Sequence, residues 1–176
     1  GFKELYAKFI ENGFSGLCHP EKFGGGGAPT TLGILLTEMA TATNKSFSMC
    51  PLLANGLIAS LLDHGSEELQ QAFLPKLISG EWGGTMCLTE PHAGSSLGDL
   101  RTRAEPQADG SYRLFGNKIY ISGGDHELSE NIIHMVLARL PGAPAGVKGI
   151  SLFLVPKVLV NEDGSLGGRN DVALAG

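Results

Sequence analysis

The chain has 176 residues, of which 42% are hydrophobic and 18% charged, and its formal net charge is −5. This length and composition suffice for one domain with a real core or for two small domains. The sequence contains no run of about 18 apolar residues, which argues against a transmembrane segment, and no basic and apolar signal peptide opens it. We therefore expect a soluble, cytoplasmic protein, or a mitochondrial matrix protein if the source is eukaryotic.

The acidic balance argues against a nucleic-acid partner, because basic side chains that neutralise phosphates provide most of that affinity. Cys18, Cys50 and Cys87 are far apart, so they predict neither a disulfide framework nor a CxxC metal site and are interpreted as reduced thiols. The five histidines show no HExxH or other close spacing, so no metal is predicted.

Four helices are predicted in the first half of the chain from apolar periodicity and capping residues. Thr30–Thr43 has Leu32, Leu35, Leu36 and Met39 on one stripe. The other helices are a segment from Phe2 that stops at Asn12-Gly13, a nearly all-apolar buried helix over 52–63, and a helix capped by Ser66 that runs to about Ser79.

Short strands are predicted after Gly80, separated by turn residues. They cover 85–89, 100–105, 112–121, 132–139 and 150–155. Helices followed by strands predict segregated α+β domains: an all-α amino-terminal domain over 1–83 and an antiparallel β-barrel or sandwich over 84–176, not a parallel α/β sheet. The segment 161–176 is polar and rich in glycine, so we expect an incomplete end to the β domain, as in a truncated protein.

Three features that suggest chemistry are better explained by structure. The four glycines at 24–27 follow no strand and precede no Gly-Lys-Ser/Thr, so we interpret them as a helix–helix connector close to a neighbouring backbone. Glu90 precedes Pro91, which favours a turn held by hydrogen bonds over a catalytic base. The cluster Asp125-His126-Glu127 is interpreted as a solvated turn.

Two motifs indicate a cofactor site. In the first, over 86–96, Pro91 ends a strand, Gly94 has no side chain, and Ser95 and Ser96 place hydroxyls beside free N–H groups, as in an anion-binding nest. In the second, over 116–124, Tyr120 supplies an aromatic face and Ser122 a hydroxyl two residues on, hence on the same side of a strand. Together they predict a site for a flat polar ring with an anionic tail.

These motifs resemble the flavin-binding signature of the acyl-CoA dehydrogenases, and the resemblance covers nearly the whole chain. It includes the turn over 11–17, the glycines at 25–26, Gly80-Glu81-Trp82 and both motifs. The segments 124–131, 136–139 and 148–156 are similar to the long subgroup of the family, which includes enzymes that act on methylthiopropionyl-CoA.

The resemblance implies an amino-terminal helical domain, a middle β domain and a carboxy-terminal helical bundle, with FAD between the last two. By motif position, Met86, Leu88 and Thr89 would meet the pyrimidine side of the ring. Gly94 and Ser95 would hold the pyrophosphate, Ser95 would also lie near the acyl-CoA, and Tyr120, Ile121 and Ser122 would flank the ring.

Three positions depart from the family pattern. Tyr120 replaces the usual Trp or Phe, Ser122 the usual Thr, and Ser96 the usual Asp. The first two keep the aromatic face and the hydroxyl, whereas the third removes a charge near the pyrophosphate.

The implied reaction is abstraction of the α-proton of an acyl-CoA while hydride leaves the β-carbon for FAD, giving trans-2-enoyl-CoA, as in fatty acid β-oxidation. Electron-transferring flavoprotein is the implied acceptor, and the full-length protein is expected to be a homo-oligomer.

The family base is a glutamate of the carboxy-terminal bundle, so no catalytic residue is assigned, and the chain alone is expected to be inactive. A non-catalytic acyl-CoA or protein-binding module, or an acyl-CoA oxidase, is the alternative.

Overall fold

The computed structural model describes residues 1–174, and helices precede strands as predicted. The helices are α1 (Phe2–Glu11), α2 (Thr30–Thr43), α3 (Lys45–His64) and α4 (Glu67–Ser79). The strands are β1 (Trp82–Cys87), β2 (Arg103–Pro106), β3 (Tyr112–Phe115), β4 (Asn131–Arg139), β5 (Ile150–Pro156), β6 (Val158–Val160) and β7 (Leu166–Arg169).

Capping residues fix the ends of the helices. The Asn44 side chain accepts a hydrogen bond from Phe47 N at 3.0 Å, so α3 begins well before the predicted position 52 and continues through Pro51. Ser66 caps α4 as predicted, and α4 ends where Gly80 adopts a left-handed conformation with φ +84°.

The main sheet is mixed, so the prediction of an antiparallel sheet was wrong for part of its pairing. β4 pairs along one edge with β5 in antiparallel orientation. Along its other edge it pairs in parallel with β1, Trp82 opposite Asn131, and then at Arg139 with Arg103 of β2. The chain leaves the sheet after Cys87 and returns to it in β2, and such long-range parallel pairing has no local pattern in the sequence.

Two predicted segments differ from the structure. The strand predicted over 112–121 ends at Phe115, and the next residue, Gly116, lies so close to Thr102 that a Cβ would come 2.2 Å from Thr102 Oγ1. Residues 116–122 therefore form a loop. Within the segment 161–176, for which an incomplete end to the β domain was predicted, β7 pairs with β6 across a turn with φ +81° at Gly164. Residues 175–176 lie outside the described residues.

One core joins the helices to the sheet. Its largest fully buried side chains come from α3, α4, β1 and β4, and include Leu57, Ile58, Leu74, Trp82 and Ile133. A Cβ on Gly84 would come 2.9 Å from Ala54 Cα, so this glycine lets α3 pack directly on β1. Since the core is shared, the division into domains at 83/84 stays an interpretation.

The helix α3 is long and apolar enough, by length and composition alone, to cross a membrane. Its side chains Ala54, Leu57, Ile58 and Leu61 are buried in the shared core. The central helix of a folded domain meets the same length and composition criteria, and this packing places α3 as such a helix.

Candidate functional site

The end of β1 forms an open floor. Met86 is 39% exposed, whereas the remaining five residues of this strand are all buried. Leu88 and Thr89, which follow the strand, are half-buried. A methionine and a leucine at an accessible strand end offer an apolar surface to a flat ring.

Glu90 stabilises the long loop between β1 and β2, because its side chain binds the main chain just before β2. Its carboxylate is buried and accepts hydrogen bonds from Arg101 N at 2.8 Å, Thr102 N at 3.0 Å, the Thr102 hydroxyl and Lys118 Nζ at 2.9 Å. Burial acts to raise the pKa of Glu90, but the hydrogen bonds from Thr102, Arg101 and Lys118 outweigh it and lower the pKa to about 2. So weak a base holds the turn, as predicted, and is unsuited to abstracting protons.

The turn after Glu90 presents unused N–H groups. Glu90 and Ala93 exchange two backbone hydrogen bonds, at 2.8 and 3.1 Å, which fix the start of the turn. Within residues 1–174, the N–H groups of Gly94, Ser95 and Ser96 donate to no protein acceptor. A Cβ on Gly94 would make only an ordinary contact, 3.6 Å from Thr89 Cγ2, so the packing of the described residues does not require glycine there. Three successive free N–H groups fit an anion such as a phosphate.

Two hydrogen bonds bring the second motif onto the first. Lys118 Nζ donates to Leu88 O at 3.2 Å, and Ile119 N donates to Thr89 O at 2.9 Å. The residues predicted from the two motifs are therefore neighbours. Sequence reasoning missed Lys118, although a lysine directly before the apolar run of residues 119–121 indicates a cation held near the core.

Tyr120 projects from this junction into solvent. It is 88% exposed and has φ 58°, and no other non-glycine residue of the described chain has a positive φ. A bulky residue in that conformation costs about 1–2 kcal/mol. Strain at an aromatic side chain without packing partners indicates a role toward a ligand.

The predicted strand geometry of the second motif was wrong. Ile121 is half-buried, and Ser122 is exposed in a turn closed by the hydrogen bond from Gly124 N to Ile121 O at 3.1 Å. Tyr120 and Ser122 therefore do not share a strand face, because the left-handed residue and the turn break the alternation. Both side chains are exposed to solvent.

Ser96 has a defined partner. Its hydroxyl donates to Asp99 Oδ2 at 2.7 Å, and Asp99 N donates to Ser96 O at 3.1 Å. Asp99 thus brings a carboxylate next to the position where the family pattern has an aspartate.

The other features singled out in the sequence form no second site. A Cβ on Gly25 would come 2.1 Å from His19 O, so the glycine run is the predicted close-packed connector. Asp125 is not merely solvated, since it forms ion pairs with Lys157 and Arg169. Cys18, Cys50 and Cys87 are free thiols, and no group of metal-ligating side chains occurs among residues 1–174.

A helical domain followed by a mixed-sheet domain is the architecture of solved acyl-CoA dehydrogenases. The enzyme of that name from Geobacillus kaustophilus superposes with a TM-score of 0.75 at 31% identity, over 87% of this chain and 39% of its own. An acyl-CoA dehydrogenase from Bacillus anthracis complexed with FAD gives a TM-score of 0.73 at 28% identity, over 89% of this chain and 26% of its own.

The chain belongs to the acyl-CoA dehydrogenase family. The family models for the acyl-CoA dehydrogenase N-terminal and middle domains match residues 1–81 and 85–170. The chain is 49% identical over 170 residues, 97% of its length, to the 3-methylmercaptopropionyl-CoA dehydrogenase of Ruegeria pomeroyi. It is 42% identical to a butyryl-CoA dehydrogenase of Syntrophomonas wolfei in an alignment of 176 positions that covers 99% of the chain. It spans 29% of the length of each of these relatives.

Proposed function

We propose that the complete protein is an FAD-dependent acyl-CoA dehydrogenase that converts an acyl-CoA thioester to trans-2-enoyl-CoA. The observation that carries this proposal is the junction of the two motifs through Lys118 and Ile119, beside free N–H groups at 94–96. It joins an accessible apolar floor to an anion-binding turn, which are the two parts needed for a dinucleotide with a flat ring. Membership of the family supports the same conclusion.

The residues present fit the flavin by their chemistry. Met86, Leu88 and Thr89 would meet the pyrimidine side of the ring, and Tyr120, Ile121 and Ser122 would flank it. Gly94 and Ser95 would hold the pyrophosphate through their N–H groups, with Ser95 also near the acyl-CoA. FAD, when bound, supplies the acceptor for the substrate hydride.

The contribution of this chain is then binding and orientation of the cofactor. Glu90 with its lowered pKa holds the turn and takes no proton, so the base comes from elsewhere in the complete protein, as in the family. The relatives named for 3-methylmercaptopropionyl-CoA and butyryl-CoA favour a short acyl-CoA as substrate.

Electron-transferring flavoprotein is the proposed electron acceptor, and the complete protein is proposed to be a homo-oligomer. In support, this chain matches one chain in a solved structure of the electron transferring flavoprotein of Acidaminococcus fermentans, with a TM-score of 0.75 at 30% identity over 88% of its length. Oxygen consumption in place of electron transfer to a dye or flavoprotein would identify an oxidase.

Replacement of Ser122 tests the site directly. In the complete protein, Ser122→Ala should leave the fold intact, because the residue is exposed in a turn. If its hydroxyl bonds the flavin, the flavin spectrum should change or flavin reduction should slow by the equivalent of about 0.5–1.5 kcal/mol. Stopped-flow reduction by a short acyl-CoA measures this.

The matched control is Ser111→Ala, whose hydroxyl bonds Asp109 in the exposed β2–β3 turn and should leave the spectrum and the rate unchanged. Identical spectra and rates in wild type and both variants would remove Ser122 from the site.

A further inference from the structure

We propose that Arg139 is a positioning residue for the anion-binding turn, acting through the main chain without touching the bound phosphate. Its guanidinium fixes the segment that follows Ser96, so that the N–H groups at 94–96 are held in one arrangement before any ligand binds. This inference rests on the proposed function, because it assumes that the turn binds the FAD pyrophosphate.

Arg139 donates to three main-chain carbonyls in two stretches of chain, residues 98–100 and the loop at Pro144. Its Nε donates to Leu100 O at 2.8 Å, its Nη2 to Gly98 O at 2.7 Å and its Nη1 to Pro144 O at 3.2 Å. The residue lies at the end of β4, whose preceding residues are all buried, so the guanidinium extends from a strand that is packed along its whole length.

The space around the guanidinium is matched to it. A Cβ on Gly149 would come 1.9 Å from Pro144 O and 2.8 Å from Arg139 Nη1. Position 149 is therefore restricted to glycine by the same loop that accepts the hydrogen bond from Nη1.

The anchored segment connects directly to the turn. Asp99, between two of the carbonyls that Arg139 holds, accepts the Ser96 hydroxyl at 2.7 Å and donates its own N–H to Ser96 O at 3.1 Å. On the other side, the paired backbone of Glu90 and Ala93 fixes the residue before Gly94. The turn is thus held at both ends, which is the condition for a preorganised anion site.

A lysine cannot replace this arrangement. The three carbonyls lie around a planar fork of N–H groups, whereas an ammonium is a single point of donation. If Arg139 instead acted through its charge on the phosphate, lysine would serve nearly as well.

The test compares Arg139→Lys and Arg139→Met with wild type in the complete protein after removal of the flavin. Dissociation constants for FAD and for riboflavin, which has the ring but no phosphate, are measured by flavin fluorescence at several salt concentrations. The control is Arg103→Lys, since Arg103 is 60% exposed and its Nε pairs with Glu105.

We expect both Arg139 variants to bind FAD about 10-fold more weakly. Losses of this size are seen in metal sites when a residue that orients a metal ligand through a hydrogen bond is replaced. Riboflavin binding and the salt dependence of FAD binding should be unchanged, and the Arg103 variant should match wild type. Ser96→Ala removes the hydroxyl bond to Asp99 at an exposed residue and leaves the main-chain bond between them. This variant should weaken FAD binding in the same direction, so the inference stays testable if Arg139→Met fails to fold.

Three results would overturn the inference. Wild-type FAD affinity in Arg139→Lys would mean that charge suffices, and a smaller salt dependence would mean direct phosphate contact. Equal losses of FAD and riboflavin affinity would mean general destabilisation. A complete wild-type protein that binds no flavin would overturn the proposed function as well, which distinguishes the two failures.

Discussion

At the scale of single residues, the buried pair of Glu90 and Lys118 connects the two motifs. Their side chains are 2% and 10% exposed, and Lys118 donates to Glu90 at 2.9 Å as well as to Leu88 O. Neither group is therefore free to react. Their contribution is to hold the loop that carries Tyr120 against the end of β1.

Lys118→Met should destabilise the protein by about 3 kcal/mol, because removing one partner of a buried ion pair leaves the other charge uncompensated. Breaking a buried ion pair costs about 3–5 kcal/mol, and the value expected here is at the lower end because Arg101 N, Thr102 N and the Thr102 hydroxyl still donate to Glu90. Urea unfolding measures the change. Lys76→Met is the control, since its pair with Glu81 is 43% and 39% exposed and should contribute about 0–1 kcal/mol. Equal losses in the two variants would contradict a structural role for the buried pair.

His134 should make stability depend on pH. Burial lowers its pKa from the ordinary value of 6.5 to about 4, and its Nδ1 lies 2.7 Å from Thr85 Oγ1. Between pH 6.5 and 4 the unfolded chain binds a proton that the folded chain does not. The free energy of unfolding therefore falls as pH is lowered, by up to about 1.4 kcal/mol per unit from this group.

The comparison of wild type with His134→Gln isolates that contribution, because burial also lowers the pKa of His19 and His126. Urea unfolding at pH 6.5 and pH 5 should show a smaller loss of stability in the variant. An unchanged slope would mean that His134 is protonated equally in both states. Below pH 4.5 Glu90 adds a loss of stability in both proteins, since its pKa in the fold is about 2 and the unfolded chain takes up a proton there first.

At the scale of elements, the junction of α4 with α1 depends on Gly80. This residue ends α4 with φ +84°, its carbonyl accepts the Tyr6 hydroxyl at 2.9 Å, and a Cβ would come 2.5 Å from Ile10 Cγ2. Gly80→Ala should cost about 1–2 kcal/mol in backbone strain and about 1–3 kcal/mol more in packing.

Gly110→Ala separates these two contributions. Gly110 has nearly the same φ, +83°, but nothing lies within 4 Å of its Cβ position, so only the strain applies. Thermal or urea unfolding of both variants gives the difference. Equal destabilisation would mean that α1 shifts freely away from α4.

The helices were predictable because their information is local. Thr30–Thr43 was predicted with its observed bounds. The ends of α4 depend on single residues, the Ser66 cap and Gly80, whose effect on a helix does not depend on the rest of the fold. The parallel pairing of β1 with β4 was not predictable, since it joins residues far apart in the chain. The loop at 116–122 was predicted as a strand because its alternating apolar residues fit a strand, while the contact of Gly116 with Thr102 is tertiary.

The two motifs of the candidate site could be found in the sequence, but the geometry that brings them together could not. The motifs led to Met86, Gly94, Ser95 and Tyr120. Arg139 has no chemical pattern of its own, and the place of Lys118 before the apolar residues 119–121 indicates a cation near the core but not which carbonyl it contacts. Positioning residues act through main-chain carbonyls, and which carbonyls lie nearby is decided by the fold.

At the scale of the whole molecule, the open floor indicates that this chain supplies one side of the site. Ligand sites normally bury most of their ligand, whereas Met86 and Tyr120 are exposed to solvent and the chain spans 29% of its relatives. We therefore predict that the 176-residue chain on its own purifies colourless or binds FAD weakly, and reduces no dye in the presence of acyl-CoA. Gel filtration with FAD followed by an absorbance spectrum checks this. A yellow chain with one flavin per molecule, or one with acyl-CoA-dependent dye reduction, would contradict it.

The central claim is that the complete protein uses this floor and turn to hold FAD for dehydrogenation of an acyl-CoA. Anaerobic titration of the purified complete protein with butyryl-CoA and with 3-methylmercaptopropionyl-CoA, followed in the flavin absorbance, tests it most directly. The account predicts an oxidised flavin spectrum that bleaches on addition of at least one of these thioesters, with formation of the matching 2-enoyl-CoA. A protein that purifies without flavin and binds none when FAD is added, or whose flavin no acyl-CoA reduces, would contradict it.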